Sequence, residues 1–302
     1  RLEDAGAPVI VLRSLFEEQL TAEELHHYRY TDFHRDTSAE ASSFLPEPDA
    51  FVLGPDEYLN HLRLIKEATD LPVVASLNGT TDGGWLEYAR QLERAGADAL
   101  ELNIYQLAAD PLVSSAEVER RTLDMVRRLH AAVKLPLSVK LSPFVTGLSH
   151  FARELEEAGA NGLVLFNRLY QPEIDVEALE VRRTLHLSDV SELPLRVRWL
   201  AILASQRSLT LTASGGVHEL LDAVRALMAG AHGVQLVSAL LKHGPGHLTR
   251  LVQALTAWMQ VHEYASLDVL RGNMSLKSCP DPAAYERANY MMMLQSWGQR
   301  RH

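Results

Sequence analysis

The sequence predicts an α/β chain of the (β/α)8 TIM-barrel class with a C-terminal helical extension. Three observations predict it. A helix-ending phrase recurs four times at the head of an apolar run. Amphipathic helices alternate with those runs. The length of 302 residues is what one such barrel and a short extension fill. The phrase is Leu2-Glu3-Asp4-Ala5-Gly6-Ala7 before the run 9–12, and Leu92-Glu93-Arg94-Ala95-Gly96-Ala97 before 99–102. It returns as Leu155-Glu156-Glu157-Ala158-Gly159-Ala160 before 162–165, and as Leu227-Met228-Ala229-Gly230-Ala231 before 233–236. In each, the glycine stands where a helix end needs a left-handed residue, and the apolar run suits a strand buried on both faces.

Taken in order, strands are expected to start near residues 8, 72, 99, 136, 162, 209 and 233. Those near 72 and 136 open with Leu71-Pro72 and Leu135-Pro136. Helices are expected over 85–94, 116–133 and 148–157, from their apolar stripes. Short connections between helix and next strand imply a parallel sheet. Seven strands are one short of a closed barrel, and the first phrase reads as the end of a helix. A first strand is therefore expected before Arg1. An open doubly wound sheet is the alternative, disfavoured by the regular repeat and by the lack of a GxGxxG after an early strand. The domain reading is one barrel over 1–260, with a long polar connector at 26–50 that forms a lid, a partner surface or a mobile loop. A helical tail over 261–302 packs on the barrel, and its Met291-Met292-Met293 reads as core filler.

Composition narrows the function classes. Hydrophobic residues are 47% and charged residues 23%, an enzyme-like profile. There are 29 Lys plus Arg against 39 Asp plus Glu, for a formal charge of −10. That balance argues against binding nucleic acid or an anionic membrane surface. No run reaches the roughly 18 apolar residues of a membrane span. The one cysteine, Cys279, allows neither an internal disulfide nor a Cys-rich metal centre, and the expected location is cytoplasmic. No metal-ligand spacing appears; His26-His27 and the pair His243 and His247 read as surface residues.

In this fold class chemistry belongs to the C-terminal strand ends. Gly215-Gly216 ends one strand, and Ser238 opens the helix after the next. Alone the glycine pair is equally a tight turn. With Ser238 it reads as a phosphate cradle of converging N–H groups. Lys140 interrupts an apolar strand, and a lysine there is costly without a partner. It either reaches solvent, sits beside a ring that becomes anionic, or forms a Schiff base. Asn78, Asn103 and Asn167 end three strands. Each alone is an ordinary turn residue; together they suit recognition of a planar heterocycle.

The runs Ser138-Val139-Lys140-Leu141-Ser142-Pro143, Gly162-Leu163-Val164-Leu165-Phe166-Asn167, Ser214-Gly215-Gly216-Val217 and Val234-Gln235-Leu236-Val237-Ser238-Ala239-Leu240 resemble the dihydroorotate dehydrogenase family, in the right order from about residue 1 to about 260. The chain is most similar to a divergent, class 1-like branch that shares Glu101-Leu102-Asn103-Ile104-Tyr105 and Phe166-Asn167-Arg168. The resemblance implies an FMN-binding barrel, a homodimer and a place in pyrimidine biosynthesis. It implies that Lys140 contacts the flavin ring, with Asn78, Asn103 and Ser14 beside the ring or the substrate. Gly215, Gly216, Val217 and Ser238 would hold the phosphate, and Asn167 with Arg168 would face the substrate. The departures are specific. Gln106 stands where the family keeps its Cys or Ser base, and an amide has no useful pKa for that task. Ala108 replaces a substrate-binding asparagine, Arg168 a small hydroxyl residue, and Arg13 the lysine of many members. Tyr105 is the nearest other proton acceptor.

The leading expectation is an FMN-dependent oxidoreductase taking a hydride from dihydroorotate or a related planar anion, with weak or absent dihydroorotate turnover. A flavin electron-transfer subunit, with a redox partner subunit docked near 26–50, is the second. A Lys140 Schiff-base lyase acting on a phosphorylated substrate is the third.

Overall fold

A computed structural model describes residues 1–16, 55–78, 85–104, 107–168, 171–182 and 184–286. The connector 26–50, Met291-Met292-Met293, Tyr105 and Gln106 lie outside the described residues. Among the described residues, seven parallel strands alternate with helices, as in a (β/α)8 barrel, and each expected strand start is met within two residues. The chain divides into two compact units.

The first unit holds residues 1–141 and 157–161. Its strands are β1 (Ile10–Phe16), β2 (Val73–Asn78), β3 (Ala99–Asn103) and β4 (Leu137–Leu141), paired in parallel in that order. Its helices are α1 (Pro55–Ala68), α2 (Trp85–Arg94) and α3 (Ser115–Ala132). The register separates two faces. Ala75, Leu77, Leu100, Leu102, Leu137, Val139 and Leu141 share one face, all buried, beside the buried stripes of the helices. Leu62 and Leu92 on those helices are wholly buried, each contributing about 2 kcal/mol of hydrophobic stabilisation. The other face carries Ser14, Ser76, Asn78, Glu101, Asn103, Ser138 and Lys140.

The second unit holds residues 142–156 and 162–302. It pairs β5 (Gly162–Leu165) with β8 (Thr210–Ser214), and β8 with β9 (Gly233–Gln235). Its helices are α4 (Leu148–Glu157, whose last residue falls in the first unit), α5 (Leu193–Ala204), α6 (Leu220–Ala229), α7 (Ser238–His243), α8 (Gly246–Val261), and the short α9 (Leu267–Leu270) and α10 (Ala283–Glu286). An exposed antiparallel hairpin, β6 (Glu173–Asp175) with β7 (Glu180–Arg182), interrupts the repeat. Its three-residue strands are too short to show a period of two, so the sequence does not announce them.

The repeated glycine does what its position predicts. Gly96 has φ 96°; its N–H donates to the Glu93 carbonyl, and that of Ala97 donates to the Leu92 carbonyl. Gly230 (φ 122°) repeats the pattern with Leu227 and Ala226. This pair of bonds closes a helix through a left-handed residue and turns the chain straight into the next strand. Downstream of α9 the tail runs along the ends of α5 and α6. The N–H groups of Gly272, Met274 and Leu276 donate to the carbonyls of Leu227, Met228 and Ala201. The last carbonyls of a helix lack partners within it, and here the tail backbone supplies them.

Candidate functional site

The polar face of the first unit holds a hydrogen-bonded Ser14–Ser76–Asn103 cluster and a Lys140–Glu101 ion pair. Ser14 and Ser76 are paired in register, their hydroxyls 2.7 Å apart. Asn103 Nδ2 donates to Ser14 Oγ at 2.8 Å, reaching over β2. Lys140 Nζ meets Glu101 Oε1 at 3.4 Å; the lysine side chain is 18% exposed and the carboxylate 3%. Asn78 is buried on the same face, two residues beyond Ser76. Ser14, Asn78, Asn103 and Lys140 are thus brought to one face, at the C-terminal ends of their strands. The cationic side chain is held against a buried carboxylate and does not run out into solvent.

The position of Ser14 depends on an irregularity. Along β1, Val11 pairs with Val74 but Ser14 pairs with Ser76, so one extra residue is accommodated between them. Tyr58, from α1, fills the break: its hydroxyl donates to the Arg13 carbonyl at 3.0 Å and accepts from the Ser76 N–H at 3.1 Å. Burial pushes the Tyr58 phenol up to about 12, against an opposing hydrogen bond from Ser76 and the charge of Arg13. Without the bulge, Arg13 would stand beside Ser76 in place of Ser14. As built, Arg13 is exposed.

The second unit contributes backbone. Gly215 (φ 84°) and Gly216 (φ 81°) carry the turn after β8. A Cβ at Gly216 would lie 2.6 Å from the Leu193 backbone nitrogen, and one at Gly215 3.0 Å from an Arg196 guanidinium nitrogen. Both positions require glycine for conformation, and Gly216 for space as well. Arg196 is buried and braces the turn: Nε donates to the Ser214 carbonyl at 2.7 Å. Burial lowers its pKa, and the charge of Glu192 opposes that shift. Glu192 bridges two arginines, with Oε2 at 2.9 Å from Arg196 and Oε1 at 3.1 Å from Arg168. Val217 and Asn167 are buried. The Ser238 hydroxyl accepts from the Ser188 N–H at 3.0 Å, which leaves its own proton to donate. The α7 helix that Ser238 opens has six residues, so a favourable field for an anion rests on local N–H groups more than on a helix dipole.

Four residues of these regions do not stand out from the sequence: Glu101, Tyr58, Arg196 and Glu192. Of the four, only Glu101 carries a signal, since a carboxylate inside an apolar strand is as costly as a lysine there. The others act from helices or a loop and show only once those are packed. The sequence expects His247 at the surface, and it is buried instead. Its Nε2 lies 2.7 Å from the His218 carbonyl oxygen, because the first turn of α8 packs under the chain that follows the glycine turn. Among the described residues, no group of three or more His, Cys, Asp or Glu is placed to hold a metal ion, and no helix is long and apolar enough to cross a membrane.

Comparisons with known proteins agree on one family. The model of a family described as dihydroorotate dehydrogenase matches residues 52–259. The chain is 29% identical over 226 residues to the catalytic subunit of dihydroorotate dehydrogenase B (NAD(+)) of Methanothermobacter thermautotrophicus, covering 72% of this chain and 73% of that one. It is 30% identical to a putative dihydroorotate dehydrogenase A (fumarate) of Aeropyrum pernix, covering 68% of each. Among solved structures, dihydroorotate dehydrogenase of Eimeria tenella in complex with ferulenol aligns with a TM-score of 0.58 over 73% of this chain and 68% of that one. At 17% identity that match speaks for the fold alone.

Proposed function

Because the chain belongs to the dihydroorotate dehydrogenase family and is an oxidoreductase of that kind, we propose that it binds FMN and oxidises a CH–CH bond of a small planar anion. The observation that carries this reading is the Lys140–Glu101 pair, set beside Asn103 and Ser14 on one polar strand face. Each unit taken by itself carries donors of the kind that group needs. The polar face offers a fixed cation and amides to a heterocyclic ring. The turn of Gly215, Gly216 and Val217, with the Ser238 hydroxyl, offers N–H and O–H donors to a phosphate. When bound, FMN supplies the hydride acceptor.

The chain's own residues do the rest. Lys140 provides positive charge where negative charge would build up on the ring, and Glu101 fixes its direction. This pairing suits a standing charge better than a Schiff-base nucleophile, which would have to leave its carboxylate. Ser14 and Asn103 hold each other in place through their hydrogen bond. Asn167 orients the substrate. Arg168, tied to Glu192, meets an anionic substrate as one arm of a charged network and not as a lone cation. Gln106 stands at the expected base position, so a group other than an amide must take the proton, and Tyr105 is nearest in sequence. Dihydroorotate is accordingly a weak substrate in this reading.

The test is direct. The purified protein should be yellow, release FMN on denaturation, and lose flavin binding in Lys140→Ala or Gly216→Val. Slow bleaching by dihydroorotate under anaerobic conditions, unchanged in Gln106→Ala, fits the reading. A colourless protein that borohydride modifies at Lys140 in the presence of a phosphorylated substrate overturns it in favour of the lyase.

A further inference from the structure

The second unit holds a polar cavity, of about 380 Å3, at the end of β8 away from the glycine turn. Ser208 and His232, which line it, lie just before β8 and β9, whereas Gly215 follows β8. Five strand residues separate the two places, about 17 Å.

Its walls are cationic. Arg207, Arg271 and Lys277 all line it. The Nε atoms of Arg207 and Arg271 are buried and meet no hydrogen-bond acceptor. Their other nitrogens are only loosely answered. Arg207 lies 3.6 Å from Glu156, and Arg271 pairs at 2.9 Å with Asp268, whose side chain is 83% exposed and therefore screened. His232 adds a neutral donor: its Nδ1 accepts the Leu211 N–H at 3.1 Å, so the ring proton sits on Nε2. Burial lowers the His232 pKa, and the charge of Arg271 lowers it further, in keeping with a positive local field.

Cations at helix ends commonly serve helix carbonyls. Here the tail does that work, since its N–H groups occupy the carbonyls of Leu227, Met228 and Ala201. A buried guanidinium N–H without an acceptor is costly, so both arginines carry charge that the protein itself answers only in part. Three cations against one shared and one solvent-screened carboxylate favour a dianion, and Arg recognises tetrahedral oxyanions through paired N–H groups.

We propose that this cavity binds a phosphate group, as free phosphate or as a small phosphomonoester. The tail segment 271–278 is then the wall that anion occupancy fastens. The assignment does not depend on the flavin reading.

The experiment reads the reactivity of the exposed Lys277 amine in the full chain as purified. An amine-acylating reagent is applied at constant ionic strength and the modified peptides are mapped, with Lys66 as the internal reference. Phosphate at twice its dissociation constant should slow Lys277 acylation about threefold, as single-site occupancy requires, while chloride does not. Glycerol phosphate protecting at lower concentration than phosphate identifies a monoester as the ligand; protection by inorganic phosphate alone identifies the free ion. Arg271→Gln should abolish the protection. Ser278→Asp, at an exposed rim position, should weaken it several-fold with the thermal midpoint in chloride unchanged. Equal protection by chloride, or protection that survives both substitutions, overturns the proposal.

Discussion

The two units equip themselves for ligands in opposite ways. The first presents side chains. Four strands lay Ser14, Ser76, Asn103, Glu101 and Lys140 on one face, bonded as a Ser14–Ser76–Asn103 cluster and a Lys140–Glu101 pair. The second presents backbone, a Gly-Gly turn seated on the first turn of α5 and braced by Arg196. The contrast teaches where tolerance should lie. A side-chain network can lose a member and partly rearrange, whereas a turn without Cβ atoms has no slack where its neighbour is itself backbone.

The sharpest break of that contrast is Gly216→Val. The new Cβ meets the Leu193 backbone at a left-handed residue, and the loss should be about 3 kcal/mol or more by urea unfolding. Gly215→Ala meets only a guanidinium tip and should cost about 1–2 kcal/mol. Equal losses at the two glycines would show that the turn is not seated on α5.

Next in size is Glu101→Leu, which takes the carboxylate away from a mostly buried ammonium and should cost about 2–3 kcal/mol. Adding Lys140→Met should recover most of that loss, and a double-mutant cycle measures it. Strict additivity of the two substitutions would mean that the pair is not coupled.

Tyr58→Phe should cost about 1–2 kcal/mol, because the buried Ser76 N–H loses its acceptor. It carries a pH signature as well. A phenol raised from 10.0 to about 12 stabilises the fold fully below pH 10, and that contribution is lost as pH rises through 12. The alkaline unfolding slope over this window should flatten in the variant.

The smallest effect belongs to Asp98→Asn, away from both ligand-facing regions. Asp98 opposes burial by bonding Lys66 at 2.8 Å and the Val73 N–H at 2.6 Å, which together hold its pKa below the ordinary carboxylate value. Its stabilisation is present above that ordinary value and is lost on acidification through the depressed one. With 42% of the side chain exposed, the loss at neutral pH should stay under about 1 kcal/mol, read as a reduced acid limb in thermal melts.

Much of this was legible in the residues. The glycine phrase marked the helix–strand joints because left-handed φ is a local demand that few residues meet. Lys140, Asn78, Asn103 and the Gly215-Gly216 turn stood out as polar or bare positions closing apolar runs. The hairpin β6–β7, the buried His247 and the Glu192 bridge did not, because each depends on partners distant in sequence or on strands too short to show a period. Glu101 was visible by the logic applied to Lys140.

Local chemistry alone therefore decided the alternation of strand and helix, the helix ends, and which residue types close each strand, since propensity and periodicity act within a few residues. Packing decided what those residues face. Whether Arg13 or Ser14 joins the polar network depends on a single inserted residue in β1, and that insertion is held by the hydroxyl of Tyr58, more than forty positions away. A one-residue shift in a strand reverses every side chain, so the deciding contact had to come from outside the strand.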